Sequence, residues 1–283
     1  MAIRFVVDSA SDIHPSEAET LGLYYAPMLV SFNDEEFYDA VEISHTQFYE
    51  KLIESDVLPT TSQITPSRFE EIFKEITDNG DIAIVITLSS FLSGTYQSAC
   101  VAASEFEGKV FVVDSLTVTV GERILVMRGL ELRDKGLSAQ EIVDTLNVEK
   151  EHIMTMGVLD TLEYLKKGGR ISAATAFAGS VLSIKPVVAV VGGVVEMVGK
   201  ARGSKNSENL LRKKIEESGG VDFERPFCLA YSGLSDVMLK KYIEDSADLW
   251  KDHVDELQVS TVGSIIGTHV GPGAIAVAYF ANN

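Results

Sequence analysis

The chain has 283 residues, 46% of them hydrophobic, and a formal net charge of -18. A chain of this length holds more than one hydrophobic core, which predicts two domains. The strong negative charge argues against direct binding of DNA or RNA, because the phosphate backbone would repel the protein.

Targeting and membrane segments are not expected in this chain. The first residues, MAIRFVVDSASD, become polar too early for the apolar core of a secretory signal peptide. No apolar run reaches the roughly 18 residues that a membrane-spanning helix needs. Cys100 and Cys228 are far apart in the sequence and have no other cysteine near them, which favours reduced thiols. These features predict a cytoplasmic protein without a transmembrane segment, and they leave only transient membrane contact open.

The first half of the chain alternates apolar strands with helices. Strands are predicted at 3–7, 82–86 and 110–113, and an extended hairpin at 23–38. Helices are predicted at 44–55, from Thr65-Pro66 onward, and at 97–106, 119–135 and 139–147. Strands and helices in this order predict a parallel sheet flanked by helices.

The pattern changes after residue 152. Residues 173–184 are almost entirely apolar or small, which predicts a helix without a solvated face. Two valine-rich runs around Gly192-Gly193 predict a hairpin at 187–198. The other predicted elements are strands at 153–158, 227–231 and 274–279 and helices at 160–167, 208–217 and 235–250.

These patterns together predict an α/β fold with two domains. The first is an N-terminal parallel-sheet α/β/α domain over residues 1–152. The second is a C-terminal α+β domain over residues 153–283 with a mainly antiparallel sheet.

The segment 87–96, TLSSFLSGTY, lies where the strand at 82–86 is predicted to lead into a helix. Ser93, Gly94 and Thr95 then stand at the start of that helix, where free backbone N–H groups and the helix dipole attract an anion. The anion is a carboxylate or a phosphate. An ordinary serine-capped helix without a ligand is the alternative.

Two further segments carry groups that hydrogen-bond anions. Thr61 and Ser62 belong to a hydroxyl-rich loop. His269 stands in a glycine-proline turn before the last strand, where its ring can donate to a carboxylate and titrates near neutral pH. Loops and single histidines of this kind also occur for structural reasons alone. No second histidine lies at metal-ligand spacing, so we predict no metal site.

Other chemistry receives less support from the sequence. A polar cluster at residues 8–12 follows the first strand, at the edge where α/β proteins bind ligands, with a capping loop as the alternative. The sequence contains neither a P-loop nor a G-x-G-x-x-G motif, which argues against nucleotide chemistry by this chain. Ser93 and His269 are the candidate nucleophile and base of an ester hydrolase, but Ser93 is not part of a G-x-S-x-G elbow.

Seven segments occur in a fixed order along nearly the whole chain. They are Asp8-Ser9, Thr61-Ser62-Gln63, LSSFLSGTY at 88–96, LDTLEYLKKGGRIS at 159–172, Lys185-Pro186, Lys200-Ala201-Arg202 and HVGPGA at 269–274. This series resembles the DegV family of bacterial fatty-acid-binding proteins. Two positions depart from the family pattern: Ile64-Thr65 replaces the usual Pro-Ser, and Ala276 stands where glycine is common.

The resemblance implies two α/β domains with a long-chain fatty acid buried at or near the domain interface. It implies that Thr61, Ser93 and His269 hold the carboxylate, with Arg170 and Arg202 near the mouth of the pocket. The apolar residues 173–184 are then a candidate wall of the tunnel, with a plain core helix as the alternative.

The resemblance also implies a role in phospholipid synthesis. A non-catalytic carrier subunit without a cofactor would present the bound acid to a separate ATP-dependent fatty acid kinase subunit, which forms the acyl phosphate. Lys166, Lys167 and Arg170 make a basic patch that we expect at the surface rather than in the pocket, where it would dock an acidic face of the kinase. An acyl ester hydrolase and a lipid-sensing binding module are the alternatives.

Overall fold

The computed structural model describes residues 1–171 and 184–282. In the first half the strands are β1 (Ile3–Asp8), β2 (Tyr24–Ala26), β3 (Leu29–Phe32), β4 (Glu35–Tyr38), β5 (Thr60–Ser62), β6 (Ile82–Thr87) and β7 (Val110–Asp114). The helices there are α1 (Pro15–Leu21), α2 (His45–Glu54), α3 (Pro66–Asp78), α4 (Thr95–Ala103), α5 (Val120–Asp134) and α6 (Ala139–Glu149).

The second half contributes its own set of elements. Its strands are β8 (Ile153–Val158), β9 (Ile184–Val191), β10 (Val194–Arg202), β11 (Cys228–Tyr231), β12 (Val259–Thr261) and β13 (Ile275–Phe280). Its helices are α7 (Glu163–Lys167), α8 (Ser204–Glu217), α9 (Val237–Asp245) and α10 (Ser264–Val270). The hairpin predicted around Gly192-Gly193 is confirmed as β9 and β10.

The first half forms the predicted parallel sheet. Its strand order is β2-β1-β6-β7, and every neighbouring pair runs parallel. The apolar runs of β1 and β6 are buried because helices cover both faces of such a sheet. A separate antiparallel sheet of order β4-β3-β5 lies beside it.

The second sheet has the order β10-β9-β8-β13-β11-β12. Its pairs are antiparallel except β11 with β12. The predicted two-domain α/β fold, with a parallel sheet first and a mainly antiparallel sheet second, is therefore confirmed. The division at residue 152 stays a prediction.

Helix starts agree closely with the local sequence. Ser44 with Gln47 and Ser138 with Glu141 form complete capping boxes at the starts of α2 and α6. Thr65 caps α3, and Pro66 occupies its first turn. These starts were predictable because a cap satisfies backbone N–H groups with side chains only a few residues away.

Two predicted features differ from the structure, and a third lies almost wholly outside the described residues. Thr61 lies on strand β5, because Thr60–Ser62 pairs with β3. His269 lies in the last turn of α10, not in the turn after that helix. The predicted helix over residues 173–184 falls outside the described residues except for Ile184, which begins strand β9.

Helix α10 belongs to the second half of the sequence but packs into the first. Its residues Ile265 and Ile266 are buried in the same hydrophobic core as β1 and β6. The N–H of Gly263 donates to Asp12 Oδ1 at 2.8 Å, and the hydroxyl of Ser264 donates to Asp39 Oδ1 at 2.6 Å. These contacts hold the start of α10 on the first half, and they fix where its last turn points.

Candidate functional site

A cavity of about 350 Å³ opens between residues from both halves of the chain. One part of its wall is polar and the rest is apolar. The polar lining residues are Thr61, Ser62, Gln63, Ser93, Gly94, Arg170 and His269. The apolar ones are Met28, Leu88, Leu92, Val118, Leu165, Val195, Ile265, Ile266 and Val270. The structure thus brings together Thr61, Ser62, Ser93, Gly94, Arg170 and His269, six of the eight predicted site residues.

Thr61 and His269 make direct contact at the polar end. The Thr61 hydroxyl and His269 Nε2 are 3.0 Å apart, although the two residues are 208 positions apart in sequence. Strand β5 supplies Thr61 through its pairing with β3, and α10 supplies His269 from its last turn. The pair therefore forms only when the two halves of the chain have folded together.

His269 is held in its neutral form. Burial, reinforced by the positive charge of Arg170, lowers the pKa of His269 to about 4. The expectation that this ring titrates near neutral pH is therefore wrong, because burial disfavours the charged form of the imidazole. His269 Nδ1 is buried and has no hydrogen-bond partner among the described residues. A Cβ at Gly168 would lie 2.3 Å from this nitrogen, so only glycine fits there.

Ser93 lies just before helix α4, as predicted. Its hydroxyl oxygen accepts from the N–H of Thr95 at 3.2 Å and contacts the Thr95 hydroxyl at 2.9 Å. Thr95 is buried behind the cavity wall, where its hydroxyl accepts from the N–H of Ile64 at 3.4 Å. Thr95 thus supports Ser93 and the segment that follows β5, and it does not line the cavity itself.

Gln63 was not predicted as a site residue, yet at the polar end it contacts both Ser98 and Gly94. Its Nε2 donates to the Ser98 hydroxyl on α4 at 2.8 Å. A Cβ at Gly94 would lie 2.0 Å from Gln63 Oε1. The sequence signal that could have identified Gln63 as a site residue was its position directly after Thr61 and Ser62.

Arg170 lines the cavity, contrary to the prediction that it acts at the surface rather than in the pocket. It donates through Nη1 to the Gly168 carbonyl at 2.6 Å and through Nε to the Leu92 carbonyl at 3.3 Å. Within the described ranges, no carboxylate forms an ion pair with it. Its positive charge acts on the polar end of the cavity, where it contributes to the lowered pKa of His269.

Arg202 does not join the other site residues. It is exposed at the far end of β10, opposite Ile184, and does not line the cavity. Lys166 is exposed, and Lys167 forms an exposed ion pair with Glu163 at 2.6 Å. The two lysines therefore lie at the surface, as expected.

A second, smaller space of about 60 Å³ adjoins the cavity. We call it the apolar chamber. It is lined mainly by aliphatic side chains of β8, β9 and β13, including Val188, Val190 and Ala276. The cavity and the chamber share five lining residues, which we call the junction: Val118, Leu165, Val195, Ile266 and Val270.

The polar cluster at residues 8–12 has a structural role, because its side chains hydrogen-bond the protein backbone. Asp8 is buried and accepts from the N–H groups of Ala10 and Leu88 at 2.8 and 2.9 Å. Asp12 is buried as well, and burial raises the pKa of its carboxyl to about 8. These contacts match the alternative of a capping loop. No three histidine, cysteine or acidic side chains of residues 1–171 and 184–282 gather into a set that would hold a metal ion.

Comparison with known proteins identifies close relatives. Residues 2–282 match the model of a family described as "Uncharacterised protein, DegV family". A DegV domain-containing protein of Deinococcus radiodurans is 33% identical over 282 residues, which cover 98% of each chain. None of the helices in the described ranges has the length and apolar character to cross a membrane.

Two solved structures share this fold. One, described as "Fatty Acid Binding of a DegV family Protein from Thermus thermophilus", is 32% identical with a TM-score of 0.89 and covers 99% of this chain and 100% of its own. The other, described as "DegV, a fatty acid binding protein from Bacillus subtilis", is 29% identical with a TM-score of 0.83 and covers 98% of each chain. Structural neighbours of this chain thus bind fatty acids.

Proposed function

The chain belongs to the DegV family, and we propose on this basis that it binds a long-chain fatty acid, with the carboxylate at the polar end of the cavity. The observation that carries the proposal is the contact between Thr61 and His269 at one end of a cavity whose other walls are aliphatic. A fatty acid has this same division into one polar end and one long apolar part.

The apolar walls account for the affinity. Burying a methylene group contributes about 0.8 kcal/mol, so a chain of about 15 methylenes gains on the order of 12 kcal/mol before the costs of association. A cavity of about 350 Å³ falls within the range of ligand sites, roughly 300–1,000 Å³. The acyl chain therefore contributes most of the binding energy.

The polar end accounts for the orientation. A buried carboxylate without hydrogen bonds is costly, and the hydroxyls of Thr61 and Ser93 are donors that lower this cost without adding charge. Arg170 adds a positive charge to the same wall. A bound carboxylate would also favour the protonated form of His269, opposing the effect of burial on its pKa.

We further propose that the chain is the carrier subunit of a cytoplasmic fatty acid kinase system. Ser62 and Gln63 at the polar end are exposed, whereas the chamber residues Val188 and Ala189 are buried. A carboxylate at the polar end is therefore within reach of a second protein while the chain stays covered. A separate ATP-dependent kinase subunit would then phosphorylate the carboxylate and form the acyl phosphate.

The geometry gives less support to an ester hydrolase. Among the described residues, the Ser93 hydroxyl pairs with Thr95 and His269 Nε2 pairs with Thr61, so nucleophile and base do not contact each other. In the described part of the chain, no carboxylate orients His269 Nδ1 either. A lipid-sensing module would bind the same acid but would not pass it to a kinase, and the kinase assay separates it from a carrier.

Two measurements test the proposal in sequence. Mass spectrometry of lipid extracted from the protein as purified should recover a fatty acid in near-stoichiometric amount. Loaded protein mixed with a bacterial fatty acid kinase subunit and ATP should then yield acyl phosphate. Recovery of no acyl chain from several preparations would refute fatty acid binding, and loaded protein that is never phosphorylated would favour the sensing module.

A further inference from the structure

The apolar chamber is a dry extension of the cavity. Thr119 and Thr155 are among its lining residues, but both hydroxyls are bonded elsewhere. The Thr119 hydroxyl donates to Asp12 Oδ2 at 2.5 Å, and the Thr155 hydroxyl contacts that of Thr117 at 2.8 Å. The chamber therefore offers hydrocarbon to an occupant, and apolar spaces of this kind do not hold water.

The junction between cavity and chamber is built by fixed elements. Ile266 and Val270 lie four residues apart on α10 and therefore share one face of that helix. Val118 is held from both sides, because the Thr119 N–H donates to the Ala10 carbonyl and the Thr117 carbonyl accepts from the Ser89 N–H, both at 2.8 Å.

Val118 also lies in a strained segment. Thr119 has φ 52° and ψ −136°, a conformation that costs a non-glycine residue energy. Surrounding contacts keep the segment in this conformation, and in it Val118 lines both spaces. The wall that the cavity and the chamber share at Val118 is therefore a built feature of the fold.

We infer that the acyl chain passes the junction and that the apolar chamber receives its methyl end, so that Ala276 and Val190 determine the chain length that binds. Both residues line the chamber and neither lines the cavity. Both are only half-buried although they lie within strands of the second sheet. The inference rests on the proposed fatty acid binding and specifies which lengths the site accepts.

The chamber is small enough for single side chains to matter. Its volume of about 60 Å³ is about twice the share of one water molecule in the liquid. Ala276→Val adds two methyl groups to the chamber wall, and Val190→Ala removes two. Each methylene that loses its place in the chamber should lower affinity about fourfold.

The experiment measures affinities for a series of saturated fatty acids that differ by two carbons, using delipidated protein. Ala276→Val should lose affinity for the longest acids and keep it for shorter ones, and Val190→Ala should gain affinity for longer acids. The double variant conserves the volume and should return toward the wild-type profile. Val277→Ala, on the neighbouring buried position that lines neither space, is the matched control.

The outcomes distinguish a failure of this inference from a failure of the proposed fatty acid binding. Wild-type protein that binds no fatty acid contradicts the proposed function. Wild-type protein that binds, with variants whose profiles are unchanged or lowered equally at every length, overturns the inference alone. If Ala276→Val does not fold, Val190→Ala decides the question, since an unchanged length preference in that variant refutes the role of the chamber.

Discussion

Asp39 and Ser264 are 225 residues apart in sequence, yet Asp39 Oδ1 accepts from both the N–H and the hydroxyl of Ser264, at 3.1 and 2.6 Å. Asp39 is fully buried. The contact holds the first turn of α10, the helix whose last turn carries His269. The position of His269 in the cavity therefore depends on a carboxyl group in the other half of the chain.

Asp39→Ala should destabilise the protein and also weaken fatty acid binding. It leaves the buried Ser264 N–H and hydroxyl without their acceptor, which costs about 1–3 kcal/mol for each group. Burial raises the pKa of the Asp39 carboxyl, so Asp39→Asn is the matched neutral control and should retain most of the stability. The measurement is urea unfolding beside fatty acid affinity. Equal stability of Asp39→Ala and wild type would show that α10 is held by other contacts.

The stability of the protein should depend on His269 as the pH falls. Burial lowers the pKa of His269 to about 4 in the folded state, against about 6.5 when unfolded. Between these values the unfolded chain binds a proton that the folded chain does not, so acidification favours unfolding. The contribution of His269 to stability is thus present above pH 6.5 and is lost by about 1.4 kcal/mol per pH unit down to about pH 4.

The variant His269→Gln isolates this effect, because glutamine does not titrate. Wild type should lose stability relative to His269→Gln as the pH drops through this window, as measured by urea unfolding of delipidated protein. Stability curves that run parallel from neutral pH to about pH 4 would mean that His269 is not held neutral in the folded state.

The space at the polar end of the cavity should depend on Gly94, which packs against the side chain of Gln63. Gly94 has an ordinary φ of −74°, so alanine fits its backbone, but the added Cβ would lie 2.0 Å from Gln63 Oε1. Gly94→Ala should therefore displace Gln63 and break its hydrogen bond to Ser98, worth about 0.5–1.5 kcal/mol. Because Gln63 lines the cavity, its displacement should also lower fatty acid affinity. Adding Gln63→Ala removes the clash and should restore part of that affinity. If the double variant binds no better than Gly94→Ala, the clash is not the cause.

The surface lysines near the polar end should affect the kinase step alone. Lys166 and Lys167 are exposed and lie outside the cavity lining. Reversing both to Glu should lower the rate of acyl phosphate formation severalfold at low salt and leave fatty acid affinity unchanged, since surface charges act mainly on association. Reversal of Lys213 and Lys214 on α8 is the matched control. Equal rates for both double variants at low salt would exclude docking at this patch.

The sequence predicted much of the fold because the information was local. Capping boxes at Ser44 and Ser138 and the apolar runs of β1 and β6 involve residues a few positions apart. Helix α10 was missed because it is seven residues long, contains glycine, and is held at its start by Asp39 and Asp12 from the other half of the chain. Short helices of this kind depend on contacts with residues that are distant in sequence, and a local sequence pattern does not reveal such contacts.

The part of the candidate site that could be predicted consists of residues whose side chains can bind a carboxylate. Thr61, Ser93 and His269 were found through their hydroxyl and imidazole groups, and the structure places them in one cavity wall. The neutral state of His269 was not predictable, since it results from burial beside Arg170. The exposed position of Arg202 was not predictable either, because sequence order does not show which end of β10 approaches the cavity.

Ser93 and His269 should matter more for phosphoryl transfer than for binding. The acyl chain contributes most of the affinity, whereas a hydrogen bond to a charged group contributes about 1.5–3 kcal/mol. A carboxylate that loses one of these partners stays in the cavity but is no longer held in the geometry that the reaction needs. Ser93→Ala or His269→Ala should therefore lower the acyl phosphate rate on the order of tenfold to a hundredfold. The affinity for the fatty acid should fall by a smaller factor.

The test compares fatty acid affinity and kinase-dependent acyl phosphate formation for each variant. Ser90→Ala is the matched control, because Ser90 is an exposed serine of the same loop that does not line the cavity. Variants that bind and react like wild type would place the carboxylate elsewhere. If the isolated chain cleaves an added acyl ester and Ser93→Ala abolishes that cleavage, the hydrolase takes the place of the carrier, since a carrier leaves the ester bond intact.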